Sequence, residues 1–278
     1  MSASASGGSA ARGPSPAGLD APDRRLLVCA VARELRDGEV VAFGLHAELL
    51  LAAAYVAQRL HAPNLVIRHG LRAERSAEIG PAAWTDDRAS LSRGRVEYCE
   101  AHDAILDVAN PDSPQRFCDV FVVGGMQIDR EGSTNLIGIK GPDGRMAVRG
   151  PGSIGTTSIG TLARHVILFS PEHSARRFVE RVDYVSVPGW RRRAAAGLGG
   201  GPALCVTSLA VMDFEEGRMR LRSVHPHTSV EEVRRRTGFD LLVPPNVPVT
   251  RPPARAEIEA LEAIDPSASR ESAGQVEV

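Results

Sequence analysis

Residues 39–68 read EVVAFGLHAELLLAAAYVAQRLHAPNLVIR, and this stretch decides the fold. EVVAF (39–43) is a short β-branched run that Gly44 breaks. ELLLAAAYVAQRL (48–60) is apolar almost all round, the pattern of a helix packed deep against a sheet. NLVIR (64–68) is a second strand. Strand, helix, strand within about thirty residues is a βαβ unit, which places its two strands parallel in one sheet. Ahead of it, Asp20 and Pro22 can open a helix. In DRRLLVCAVARELRDG, Leu26, Leu27, Ala30, Val31 and Leu35 form an apolar stripe that ends at Gly38.

Downstream, CDVFVVGG (118–125) is uninterrupted and β-branched, as a strand buried on both faces should be. RHVILFS (164–170), FVERVDYVSV (178–187), ALCVTSLAVMDF (203–214) and RMRLRSV (218–224) read as further strands. The last two are joined by Glu215, Glu216 and Gly217 in a hairpin. SVEEVRRRTGF is a helix with Ser229 as cap, Glu232 completing a capping box and Gly238 as stop. ARAEIEALEAI (254–264) is the last helix. Residues 70–117, with Trp84, Asp86, Asp87 and the run from Arg88 to Arg95, are polar and irregular and predict loops with one short helix or hairpin. The expected fold is α/β: an open, mostly parallel sheet flanked by helices, with an antiparallel edge hairpin.

The 278 residues carry 33 Lys and Arg against 34 Asp and Glu, a formal charge of -1. No global field gathers nucleic acid or an anionic membrane, so an anionic ligand must be held by local groups. Cys29, Cys99, Cys118 and Cys205 are scattered, without C-x-x-C or metal-ligand spacing. Three of them lie in apolar runs, consistent with buried thiols in a reducing cytoplasm. No apolar run reaches the roughly 18 residues of a membrane span. Residues 1–20, rich in Ser, Ala, Gly and Pro, predict a disordered leader; 21–266 predict one domain, and 267–278 a disordered tail.

Three groups carry chemistry. GGMQIDREGSTNL (124–136) follows the strongest strand, and ligands of open α/β sheets bind beyond strand carboxyl ends. Gln127, Asp129 and Asn135 supply donors and acceptors there, although the same residues also suit a turn in which Asp129 and Asn135 bond their own backbone. RGPGSIGTTSIGTLA (149–163) can offer N–H groups of Gly150, Gly152 and Ser153 to an anion or oxyanion, or be a surface loop. It is neither a P-loop nor a G-x-G-x-x-G turn. His69 closes the second strand, where a neutral ring can act as base near pH 7 or serve structure. His102–Asp103 and His225–Pro–His227 lack a third metal ligand and are assigned to structure or surface. GWRRRAAAGLGGG (189–201) reads as a solvated loop, and no G-x-S-x-G elbow occurs.

Taken in order, several segments resemble the β subunit of class I, glutaconate-type coenzyme A transferases. They are APNLVI (62–67), FCDVFVVGGMQIDREGSTNL (117–136), GPGSIG (150–155), HVILF (165–169), FVERVDYVS (178–186), MDF (212–214), HPHTSVEEVRRRTGF (225–239) and AIDP (263–266). The resemblance runs over about 22–266. It implies a coenzyme A thioester as substrate, no bound cofactor or metal, and a heteromer with a CoA-transferase α-type subunit. In that family a β-subunit glutamate in an E-S-G or E-N-G turn attacks the thioester; carried over, its position falls on His69, followed by Gly70. A glutamate-lacking subgroup resembling ring-cleaving CoA hydrolases takes its acidic group from the α subunit, but carries an acidic turn where this chain has Arg68–His69–Gly70. The expectation is an acyl-CoA enzyme subunit, transferring or hydrolysing, with His69 catalytic, Gly150, Gly152 and Ser153 at an oxyanion, and Gln127, Asp129 and Asn135 shaping the pocket. The alternatives are a non-catalytic partner of a catalytic α subunit, or a stand-alone phosphosugar-type enzyme.

Overall fold

A computed structural model describes residues 24–43, 48–69, 72–74, 96–98, 118–153 and 155–264. The leader, the tail, His102–Asp103, Cys99, Gly70 and the polar run from Trp84 to Arg95 lie outside the described residues.

The βαβ unit forms as its pattern requires: β1 (Val40–Phe43), α2 (Glu48–Leu60) and β2 (Val66–His69), preceded by α1 (Arg24–Ala32). β1 pairs parallel with β2 on one side and with β5 (Val120–Val123) on the other. β10 (His165–Ser170) follows parallel on β5, and β12 (Gly201–Thr207) parallel on β10. Both edges of this parallel centre turn antiparallel. β13 (Ala210–Glu215) and β14 (Arg218–Val224) extend it beyond β12, while β3 (Arg72–Glu74) and β4 (Val96–Tyr98) extend it beyond β2. Among the described residues the sheet therefore runs β14-β13-β12-β10-β5-β1-β2-β3-β4.

The central strands are continuous apolar runs because both faces are covered, and side chains alternate between two cores. Val41, Phe43, Ile67, Val120, Val122, Ile167, Phe169, Leu204 and Val206 meet α1, α2 and α6 (Arg255–Ile264) on one face. Ala42, Phe121, Val123, Val166, Leu168 and Cys205 point to the other. That second face is covered chiefly by small sheets. β6 (Gln127–Asp129) pairs with β7 (Thr134–Asn135) and with β11 (Phe178–Val179), burying Ile128 and Phe178. The short helices α3 (Thr156–Leu162), α4 (Trp190–Ala195) and α5 (Val230–Arg236) complete the described elements together with a separate hairpin, β8 (Gly138–Lys140) and β9 (Met146–Arg149). Cys29, Cys118 and Cys205 are buried and form no disulfide among the described residues, and burial pushes the Cys118 thiol up to about 12. No described helix is long and apolar enough to cross a membrane.

Several elements differ from their sequence reading for local reasons. α1 buries every residue from Leu26 to Ala32, so its pattern is that of a core helix rather than one stripe. ALCVTSLAVMDF is two antiparallel strands: the Thr207 hydroxyl accepts the N–H groups of Leu209 and Ala210, both at 3.2 Å, and turns the chain there. The Glu215–Gly217 connection turns through positive φ at Glu216 (50°) and Gly217 (76°), a pairing that matches strand twist. FVERVDYVSV keeps only Phe178–Val179 as strand, because beyond it the Asp183 carboxylate accepts the Lys140 N–H at 3.0 Å and ties the chain to a neighbouring segment. Ser229 caps α5 by accepting the Glu232 N–H at 3.2 Å, but the Glu232 carboxylate is bound by Arg235 and Arg236.

GWRRRAAAGLGGG is a helix and a tightly held loop. Arg193 is 1% exposed, and its guanidinium donates to the carbonyls of Gly160 (2.8 Å), Thr161 (3.0 Å), Ala163 (3.3 Å), Gly199 (2.7 Å) and Gly200 (3.2 Å). It closes the carboxyl end of α3, where orphan carbonyls and the helix dipole favour a cation.

Candidate active site

Between β1 and β5 the chain reverses its direction of travel across the sheet: β1 leads outward to β2, and β5 leads the other way to β10. In an open parallel sheet the crevice beyond the carboxyl ends at such a switch point is the expected ligand site. Gly124 and Gly125 follow β5 at that edge. His69 closes β2, its Cα registered with Phe43 of β1, which is itself registered with Val122 of β5. Two strand spacings place the His69 backbone about 10 Å from Val122. His69, Gly124 and Gly125 therefore share one edge of the crevice.

Gln127, Asp129 and Asn135 are brought together on the β6–β7 hairpin and are buried. Asn135 Nδ2 donates to Gln127 Oε1 at 2.7 Å and to the Gly138 carbonyl at 2.6 Å. Gln127 Nε2 donates to Asp183 Oδ2 at 3.0 Å, and Gln127 Oε1 accepts the Asp183 N–H at 3.0 Å. Asp129 Oδ1 accepts the N–H groups of Glu131 (3.0 Å) and Ser133 (2.8 Å). Burial holds the Asp129 carboxyl above the usual carboxylate range in spite of those N–H groups. Gly132 sits at φ +80°, and a Cβ on Gly125 would meet the Gln127 carbonyl at 2.7 Å. Each residue of the G-x-Q-x-D-x-x-G-x-x-N pattern thus has a bond or a clearance inside the hairpin, which fixes the backbone at the crevice.

The glycine segment is held in the same way. Gly150 N–H donates to the Ile137 carbonyl at 2.8 Å and Gly152 N–H to the Leu136 carbonyl at 2.9 Å, so both donors face the chain's own backbone. A Cβ on Gly150 would lie 2.3 Å from the Leu136 oxygen, and Gly152 has φ +91°. Ser153 Oγ donates to Ser186 Oγ at 2.8 Å, which accepts the Leu136 N–H at 2.8 Å.

Sequence reading alone missed a second polar cluster, at the carboxyl ends of β10 and β12. His173, stacked on Phe178, reaches Thr207 Oγ1 through Nδ1 (2.8 Å) and Thr237 Oγ1 through Nε2 (3.0 Å). His225 Nε2 donates to the Thr207 carbonyl at 2.8 Å, leaving Nδ1 to accept from Thr250 Oγ1 at 3.0 Å. Gly238 lies against Phe178, whose carbonyl a Cβ would approach to 2.4 Å. These contacts account for the H-P…T-G-F motif: His225, Thr237 and Gly238 lock α5 and the last strands to β10 and β12. The signal available was the spacing of His225 and Thr237; nothing marked Thr207 or His173. Arg177 joins this cluster to the crevice, donating to the Gly125 carbonyl and to Glu172 Oε2 at 2.9 Å. Hydrogen bonds from Ser174 and Arg177 hold the Glu172 carboxyl below its usual range.

Burial drops the His173 imidazole to about 3 and the His225 imidazole to about 4. Above the ordinary value near 6.5, folded and unfolded chains are both neutral at these sites. As pH falls below 6.5 the unfolded chain takes up protons first, so stability is lost until the folded rings titrate. Each histidine contributes a slope of up to about 1.4 kcal/mol per pH unit. Urea unfolding of the wild type and of His225→Gln between about pH 7 and pH 4.5 should show a shallower loss in the variant; equal slopes would refute the assignment.

A family model described as Coenzyme A transferase matches residues 114–236. The B-type subunit of glutaconate CoA-transferase from Acidaminococcus fermentans is 29% identical over 266 residues, covering 88% of this chain and 92% of that protein. The solved glutaconate coenzyme A-transferase of that organism superposes with TM-score 0.73 over 88% of this chain and 95% of the matched chain. The B-type subunit of 3-oxoadipate CoA-transferase from Pseudomonas knackmussii is 28% identical over 250 residues, 86% of this chain and 92% of its own. A structure of the decarboxylase AibA/AibB matches at 25% identity and TM-score 0.69, covering 91% of this chain and 98% of that chain. With its mostly parallel sheet and switch-point crevice, the chain is similar over most of its length to the β-type subunits of coenzyme A transferases, and residues 114–236 match that family's model.

Proposed function

We propose that this chain is the β half of a two-subunit cytoplasmic enzyme acting on an acyl-CoA thioester, and that it works without the β-subunit glutamate nucleophile of its family. The observation that carries the reading is His69 at the tip of β2, on the edge of the switch-point crevice. The family's motif order gives this position to the glutamate. An imidazole cannot form the acyl anhydride and glutamyl thioester by which a carboxylate exchanges CoA; it can accept a proton from water or polarise a carbonyl at neutral pH. The acidic group is then supplied by an α-type subunit, a reading supported by the division of both CoA-transferase relatives into separate subunits. Gln127, Asp129, Asn135, Gly150, Gly152 and Ser153 contribute by fixing the backbone around the crevice, since the described side chains and N–H groups among them already bond within the chain.

Hydrolysis of the thioester is the reaction this arrangement favours over transfer. The likeness to the decarboxylase AibA/AibB supports a second reading, loss of carbon dioxide from a carboxylated acyl-CoA. The purified α/β complex, given a panel of acyl-CoAs with and without an added carboxylate acceptor, separates these readings. Free CoA with no acceptor dependence is expected. CoA passed to the acceptor would establish transfer, carbon dioxide release would establish decarboxylation, and no reaction with any thioester would leave the chain as a non-catalytic partner.

A further inference from the structure

The chain turns out of β5 through Gly124, Gly125 and Met126, at the crevice edge where His69 also lies. Close approach requires both glycines: a Cβ on Gly124 would lie 3.0 Å from the Phe169 carbonyl oxygen, and one on Gly125 2.7 Å from that of Gln127. Adjacent glycines bring little stiffness of their own, so the corner is held from outside. The peptide group between Gly125 and Met126 is tied at both poles. Its N–H donates to the Asn135 carbonyl at 2.8 Å, and its oxygen accepts from Arg177 Nη1. Arg177 has a firm root. Its carbonyl accepts the Ile128 N–H at 2.7 Å, its N–H donates to the Ser174 carbonyl at 2.9 Å, and Phe178 beside it is fully buried. Nη2 donates to Glu172 Oε2 at 2.9 Å, and the other oxygen of that carboxylate accepts the Ser174 hydroxyl at 2.6 Å. The Glu172 carbonyl in turn accepts the hydroxyl of Ser170, the last residue of β10, at 2.6 Å. The guanidinium therefore spans the carboxyl ends of β5 and β10.

We infer that Arg177 is a positioning residue for the reaction proposed above: with Glu172 as its counter-charge, it fixes the plane of the Gly125–Met126 peptide and so the crevice wall on the edge shared with His69. The inference rests on the reading of this crevice as the thioester site. The Arg177 side chain is 27% exposed and that of Glu172 41%, whereas Arg193 is 1% exposed. An ion pair so open to water adds little to folding stability, so its work lies in the geometry it sets. Nε is buried without a partner among the described residues, so the hold on Gly125 and Glu172 passes through the two terminal nitrogens. Without the guanidinium the peptide keeps only its Asn135 bond, about which it can rotate. A misplacement of about 1 Å near a reacting centre costs about 10²-fold in rate.

The test uses the α/β complex, with steady-state kinetics on an acyl-CoA and melting curves of Arg177→Gln, Arg177→Lys, Glu172→Gln and the Arg177→Gln/Glu172→Gln double variant. Arg177→Gln is expected to lower kcat by about 10- to 100-fold. KM should stay within about 3-fold, and the melting temperature within about 5 °C of wild type. Arg177→Lys should recover part of kcat, since an ammonium can reach the Gly125 carbonyl but lacks the planar fork that also holds Glu172. Glu172→Gln should lower kcat less, and the double variant should fall no further than Arg177→Gln alone, because Glu172 acts through the arginine. Unchanged kcat in the folded glutamine variant would overturn the inference and leave the thioester reading standing. So would a raised KM at unchanged kcat, the mark of an arginine that binds substrate directly, or additive losses in the double variant. A glutamine variant that does not fold, or whose kcat falls only with its folded fraction, would make Arg177 a structural residue and overturn the inference as well. No turnover of any acyl-CoA by the wild-type complex would overturn both.

Discussion

Replacement of His69 by alanine in the α/β complex is expected to lower kcat by about 10²-fold or more, the usual contribution of a positioned acid or base. KM should stay within about 3-fold, since a group acting in the transition state leaves ground-state binding nearly unchanged. The expectation follows from position. β2 is the last strand of the parallel centre, and its last residue lies level with Phe43 and Val122 on the edge where β1 and β5 part. His69→Glu restores a carboxylate at that place and should trade hydrolysis for CoA transfer to an added carboxylate. Steady-state kinetics of both variants measure the split; unchanged kcat in the alanine variant would remove His69 from the reaction.

Arg193→Met is expected to destabilise the chain by about 3–5 kcal/mol, because five carbonyls lose a buried charged donor and the methionine can bond none of them. For a domain of this size that is a fall in melting temperature of about 10 °C. Burial lowers the Arg193 pKa, yet a guanidinium remains charged, and the acceptors it meets are backbone carbonyls. Arg193→Lys should recover only part of the loss, since an ammonium presents three donors from one point and cannot span five acceptors. Melting curves of the two variants check this; a methionine variant within about 2 °C of wild type would show that the carbonyls find other donors.

The parallel centre of the fold was legible in the sequence because its signals are local. A continuous β-branched run, a helix apolar all round and a βαβ spacing each demand burial on both sides. The edges were less so. β12 and β13 read as one strand because the turn between them is made by a threonine hydroxyl, with neither glycine nor proline to mark it. Arg193 looked like a surface cation, since its partners are backbone carbonyls from 6 to 33 residues away, which no pattern of side chains announces. The crevice was placed by the strand rule and by His69. The polar residues of the QIDREGSTN segment were visible as a group, but their partners Asp183, Gly138 and each other come together only in the folded hairpin.

The central claim is that this chain serves thioester chemistry without carrying a covalent carboxylate catalyst. The most direct measurement is intact-mass analysis of the α/β complex during turnover of an acyl-CoA. Turnover that requires both subunits, with the mass of this chain unchanged throughout, is the predicted result. A CoA adduct on a carboxylate of this chain, formed and discharged at the rate of turnover, would contradict it.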